Sequence, residues 1–96
     1  MSKVILITGA SSGLGEGMAR EFAARGNHLA LCARRTDRLD SLKSELEAQH
    51  DGVRVSVRAL DVNDHQAVFD VFSAFRDEFG QLDRVLVNAG IGKGQP

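Results

Sequence analysis

Val4-Ile5-Leu6-Ile7-Thr8-Gly9-Ala10-Ser11-Ser12-Gly13-Leu14-Gly15 is the stretch on which the fold turns. Four apolar residues run into a glycine turn, and Leu14 opens a helical pattern that reaches about Arg25, where Gly26 stops it. A strand that ends in glycines and feeds a helix offers bare backbone N–H groups at the positive end of the helix dipole. Such a place favours a phosphate. Gly9 permits the tight exit from the strand, Gly13 lets a phosphate approach, and Gly15 lets helix and strand pack closely. The amides around Ser12 to Leu14 face the anion, and the hydroxyls of Ser11 and Ser12 suit phosphate hydrogen bonding better than nucleophilic attack, since no base accompanies them. A P-loop is excluded, because no Gly-Lys-Ser or Gly-Lys-Thr follows the first glycine at the required distance.

Outward from that turn, short β-branched runs alternate with helical patterns, which predicts β-α-β-α-β-α-β around a parallel sheet. The strands are expected at residues 3–8, 28–33, 53–60 and 83–87. The second helix starts at a Thr36 or Asp37 cap and ends near His50, with Leu39, Leu42 and Leu46 on one stripe. The third is capped by Asn63, carries Val68, Val71, Phe72, Phe75 and Phe79 on one face, and stops at Gly80. Four of the five phenylalanines lie in this helix and are read as core. Val53, Val55 and Val57 alternate with polar residues, which suits a sheet edge, whereas the fourth strand is nearly all apolar and is expected to be buried on both faces. Right-handed crossovers then give a Rossmann-like doubly wound α/β sheet of strand order 3-2-1-4. The chain reads as a single domain over residues 1–96. Its end in Gly90-Ile91-Gly92-Lys93-Gly94-Gln95-Pro96 has loop composition, so the domain is expected to be incomplete at the C-terminus, with an open strand edge that invites pairing.

A chain of 96 residues with 43% hydrophobic and 26% charged side chains fits one globular domain. Lys plus Arg number 12 against 13 Asp plus Glu, so no global charge draws it to nucleic acid or membrane, and any anion site must be local. The lone Cys32 excludes a disulfide framework and points to a reducing compartment, the cytoplasm. His28, His50 and His65 are scattered without ligand spacing, so no metal site is expected.

Three further strand ends carry chemistry. The second runs into Arg34-Arg35, where nucleotides lacking a 2′-phosphate usually meet a carboxylate. An acid there repels a 2′-phosphate, whereas a guanidinium binds it through paired, charge-assisted hydrogen bonds, so NADP is favoured over NAD, with Arg34 ahead of Arg35 and Arg38 adding to the field. The third strand is followed by Asp61-Val62, whose carboxylate could accept a hydrogen bond from an adenine amine or serve as a helix cap. After the fourth come Asn88-Ala89-Gly90, an amide beside a close-approach glycine. All four sites fall on the carboxyl edge of the sheet, where doubly wound folds bind their ligands.

With these motifs the chain resembles the amino-terminal part of a short-chain dehydrogenase/reductase. Thr8 to Gly15 matches the family's T-G-x-x-x-G-x-G cofactor motif, Asp61-Val62 its adenine-contacting pair, and Asn88-Ala89-Gly90 most of its N-N-A-G motif, with Val87 in place of the first asparagine. The resemblance implies an NADP-dependent oxidoreductase that moves hydride between the cofactor and a small alcohol or carbonyl substrate. Apart from the resemblance, exposed apolar surface on the fourth strand and third helix is expected to draw copies of the chain into a homo-oligomer. It also implies a Tyr-x-x-x-Lys pair, a serine and a further asparagine beyond the N-A-G segment. The sequence contains no tyrosine, so no catalytic residue is assigned within it and the 96-residue chain alone is expected to be inactive. Two alternatives stand beside this: a noncatalytic NADP-binding sensor or regulatory module, and a methyltransferase-like nucleoside site, against which Arg34 argues.

Overall fold

The computed structural model describes residues 2–87. Its elements are β1 (Val4–Thr8), α1 (Gly13–Ala24), β2 (His28–Ala33), α2 (Asp37–Gln49), β3 (Val55–Ala59), α3 (His65–Phe79) and β4 (Arg84–Val87). The four strands form one parallel sheet in the order β3-β2-β1-β4, as the crossover argument requires.

Strand alternation divides the side chains between two cores. Ile5, Ile7, Leu29, Leu31 and Ala33 face α1 and α2, where the α2 stripe of Leu39, Leu42 and Leu46 closes over them. Leu6, Ala30 and Cys32 face the other way, onto Phe75 of α3. β1 and β2 are thus covered on both sides, which is why they read as continuous apolar runs. Arg20 of α1 ties the two helices of the first layer together by bonding both Glu16 and Glu45.

Several local expectations are corrected. The third strand begins at Val55, because Val53 closes a turn by donating its N–H to the His50 carbonyl. Asp64, not Asn63, caps α3: its Oδ1 accepts the Ala67 N–H at 3.1 Å. Thr36 holds the N-cap position of α2 but makes no side-chain cap bond, since its backbone is already in the right-handed helical region. Phe69 is 68% exposed, off the inward stripe of α3, in which Phe75 is buried and Val68, Val71, Phe72 and Phe79 are half-buried. β4 is not buried on both faces either. Val85 and Val87 are exposed and Leu86 is half-buried, because no described strand or helix lies beyond β4 in the sheet.

At the opposite end of β1 the sheet is pinned by Asp83. Its N–H donates to the Val4 carbonyl at 2.9 Å, and its Oδ2 accepts the Val4 N–H at 2.7 Å. These two bonds fix where β4 starts along β1, and so which residues reach the carboxyl edge.

Candidate functional site

The carboxyl ends of β1, β2 and β3 open onto one cleft of about 310 Å³. Backbone hydrogen bonds carry the ladder up to its floor: Ala10 N–H donates to the Cys32 carbonyl at 3.2 Å, and Leu60 N–H to the Ala33 carbonyl at 2.8 Å.

The glycine turn forms the first wall. Gly9 has φ of 63°, a left-handed conformation that a side chain disfavours. Its carbonyl accepts both the backbone N–H and the hydroxyl of Ser12, at 3.2 and 3.0 Å. The Ser12 oxygen in turn accepts the Gly15 N–H at 3.1 Å and so caps α1. Gly13 and Leu14 begin the helix, and their N–H groups have no partner among the described residues. Space around Gly13 is open, with nothing within 4 Å of where a Cβ would sit. Two unclaimed N–H groups at a helix start, beside open space, suit an anion.

Arg34 and Arg35 form the second wall. Arg35 has a 3.4 Å contact with Asp37, a side-chain pair 85% and 74% exposed, so the pairing is worth little. Arg34 is exposed and has no acidic partner among the described residues. Arg38 is exposed and lies outside the cleft lining.

Asp61, Val62 and Asn63 form the third wall. Asp61 Oδ1 accepts the Asn63 N–H at 3.0 Å, and the Asp61 carbonyl accepts the Asp64 N–H at 2.9 Å. Asp61 therefore shapes the turn into α3 while its carboxylate remains at the cleft. Val62 packs its side chain against the Phe75 core. Beneath the cleft, burial pushes the Cys32 thiol up to about 12, and its sulfur donates to the Ile7 carbonyl at 3.7 Å. It is a packed side chain, not a nucleophile.

The structure thus gathers Gly9, Ser11, Ser12, Arg34, Arg35, Asp61 and Val62 around one opening. Gly13 and Leu14 lie outside its lining, at the adjoining start of α1, and Leu14 points its side chain outward, 69% exposed. Gly15 is buried behind the turn and shapes it instead of touching the opening. Asn88, Ala89 and Gly90 lie outside the described residues. Asn63 also lines the cleft, a position that sequence reading assigns to helix capping.

A short chain dehydrogenase family profile matches residues 3–96. The chain belongs to this family. An uncharacterized oxidoreductase of Mycobacterium tuberculosis is 64% identical over 90 residues, which make up 94% of this chain and 36% of that protein. L-sorbose reductase from Gluconobacter frateurii, solved with NADPH and L-sorbose, is 40% identical with a TM-score of 0.88, over 99% of this chain and 36% of its own. An alcohol dehydrogenase from the archaeon Thermococcus sibiricus, solved with 5-hydroxy-NADP, is 42% identical with a TM-score of 0.83, over 88% and 36%. This short-chain dehydrogenase sequence therefore spans 36% of the length of each of these three proteins. Among the described residues, no helix is long and apolar enough to cross a membrane.

Proposed function

We propose that this chain is the NADP(H)-binding portion of an oxidoreductase acting on a small alcohol or carbonyl compound. The observation that carries the reading is the convergence of unclaimed cation and unclaimed N–H groups at one sheet edge. The Gly13 and Leu14 amides would hold the pyrophosphate, Arg34 with Arg35 the 2′-phosphate, and Asp61 with Val62 the adenine. The bound nucleotide supplies hydride. The residues of this chain bind and orient it, with the Ser12 cap keeping the turn in shape before the ligand arrives. NADPH in the Gluconobacter relative and a derivative of NADP in the Thermococcus one support the phosphorylated cofactor. The resemblance assigns proton transfer to a tyrosine and lysine that these 96 residues do not supply, so reduction of a substrate belongs to the whole protein. Exposed Val85 and Val87 at the open edge of β4 support pairing there with another strand, from a further copy or from the rest of the whole protein.

Isothermal titration of the chain with NADPH and NADH tests this. NADPH is expected to bind more tightly, and Arg34→Ala to weaken NADPH by about tenfold or more, the usual worth of a hydrogen bond to a charged group, while leaving NADH unchanged. Equal affinity for both nucleotides in the unaltered chain overturns the assignment of the phosphorylated cofactor.

A further inference from the structure

β3 is the outer strand of the sheet on the side away from β1. Leu29 is the register partner of Val55, and its N–H donates to the Arg54 carbonyl at 2.9 Å. In a parallel ladder that pattern turns the N–H and C=O of Val55 itself away from β2, toward the open edge. Both are occupied. Glu47 Oε2 accepts the Val55 N–H at 2.9 Å, and Lys43 Nζ donates to the Val55 carbonyl at 2.8 Å. Lys43 and Glu47 stand one turn apart on α2 and also contact each other at 3.2 Å.

An ordinary i,i+4 pair on a helix surface stabilises by a few tenths of a kcal/mol and needs no strand beside it. This pair differs because each charge meets the backbone group of opposite polarity in the same residue. Val57 and Ala59, the next residues that face outward in this register, have no such side-chain partner among the described residues. We propose that Lys43 and Glu47 form an edge guard, which fills the outward hydrogen-bonding groups at the start of β3 and so prevents a second copy of this chain from adding a strand there. Exposed edges promote such pairing, and inward-reaching charge is one way to block it. A copy of this chain is the natural occupant of an unguarded edge, since its own β3 offers the same groups and it is present at the full protein concentration. Glu47 is held below the usual carboxylate range, first by the Val55 N–H and then by Lys43, which keeps it charged for this role near neutral pH.

Amide hydrogen exchange followed by NMR on the 96-residue chain tests the guard. Glu47→Ala is expected to speed exchange at Val55 by about tenfold or more, as loss of a hydrogen bond to a charged group implies, with Leu29 and Leu31 unchanged. Glu47→Gln, which keeps an acceptor oxygen, should restore most of that protection. The double variant Lys43→Ala/Glu47→Ala should associate more strongly than the unaltered chain in sedimentation equilibrium. It alone should gain protection at Val55, Val57 and Ala59 as concentration rises. If far-UV circular dichroism shows that double variant unfolded, Lys43→Met/Glu47→Met, which keeps the helix-favouring stems but offers Val55 no strong donor or acceptor, takes its place with the same expected result. Rapid Val55 exchange in the unaltered chain, or association of the folded double variant no stronger than that of the parent, overturns the proposal.

Discussion

A Cβ placed on Gly15 would lie 2.4 Å from the Gly9 carbonyl oxygen and 2.8 Å from the Ala10 Cα. The obstacles are backbone atoms of the turn, which cannot swing aside as a side chain can. Helix α1 therefore sits against the end of β1 at a distance that only glycine allows, and the same contact sets the direction in which the helix start faces the cleft. Gly15→Ala is expected to destabilise the chain in urea denaturation by about 1–3 kcal/mol, the cost of overpacking. Gly17 lies two residues further along the same helix with nothing within 4 Å of its Cβ position. Gly17→Ala should instead stabilise by about 0.5–1 kcal/mol, because alanine favours the helix interior. Equal effects of opposite expectation, both stabilising, would show that close packing at Gly15 does not matter.

The Ser12 hydroxyl bridges Gly9 and Gly15 and so joins the two ends of the turn. Ser12→Ala removes an N-cap, which costs about 0.5–2 kcal/mol. Ser12→Asp keeps an acceptor for the Gly15 N–H, but places a negative charge beside the proposed phosphate position. Thermal unfolding should therefore rank Ser12→Asp above Ser12→Ala, while NADPH titration ranks Ser12→Asp last. A common order in both measurements would show that the charge at residue 12 is not sensed by the ligand.

The strand order and the two-layer helix arrangement were legible because periodicity reports the backbone directly: β1 and β2 run apolar without a break, and Leu39, Leu42 and Leu46 recur at helical spacing. The three strand ends at the cleft followed from topology, since parallel strands all finish on one side. Less legible were features set by neighbours. Val85 and Val87 are apolar whether or not something covers them, so residue type points to burial on both faces, and only the edge position of β4 in the strand order points to their exposure. Asn63 and Asp64 are both good caps, and only the chain's path decides that Asp64 reaches the Ala67 N–H. The Lys43 and Glu47 bonds to Val55 were hidden for a similar reason, because i,i+4 spacing announces an ion pair but not a strand edge within reach of it.

Phe75 and Phe69 test how α3 holds the second core. Phe75 is fully buried against Leu6, Ala30, Cys32 and Leu60, whereas Phe69 faces outward. Phe75→Ala is expected to cost about 3–5 kcal/mol, a large part of the roughly 5–15 kcal/mol that holds an ordinary domain together. Phe69→Ala should fall within about 0.5 kcal/mol of the parent. Urea denaturation at fixed protein concentration measures both, and a large loss at Phe69 would mean that its exposed ring is covered by another copy in solution.

Glu47 and Glu45 make stability depend on pH in a defined direction. The Val55 N–H, then Lys43, lower the Glu47 carboxyl below its usual range, and Arg20 does the same for Glu45. A carboxyl whose folded value is depressed binds fewer protons in the folded chain than in the unfolded one. Its stabilising contribution is fully present above the unfolded value, about 4.3 for glutamate, and is lost as pH falls through the folded one. Stability should therefore be level for these groups from neutral pH down to about 5 and decline below that. The two carboxylates separate on adding salt. Arg20 and Glu45 are exposed partners and their attraction is screened, while the Glu47 bond to a backbone N–H is partly sheltered and holds. Urea melts between pH 6 and pH 3, in low and high salt, should show Glu47→Gln flattening the decline under both conditions and Glu45→Gln flattening it at low salt alone. A Glu47→Gln profile parallel to the parent's would mean that the Val55 bond does not survive in solution, and the edge guard would lose its acidic half.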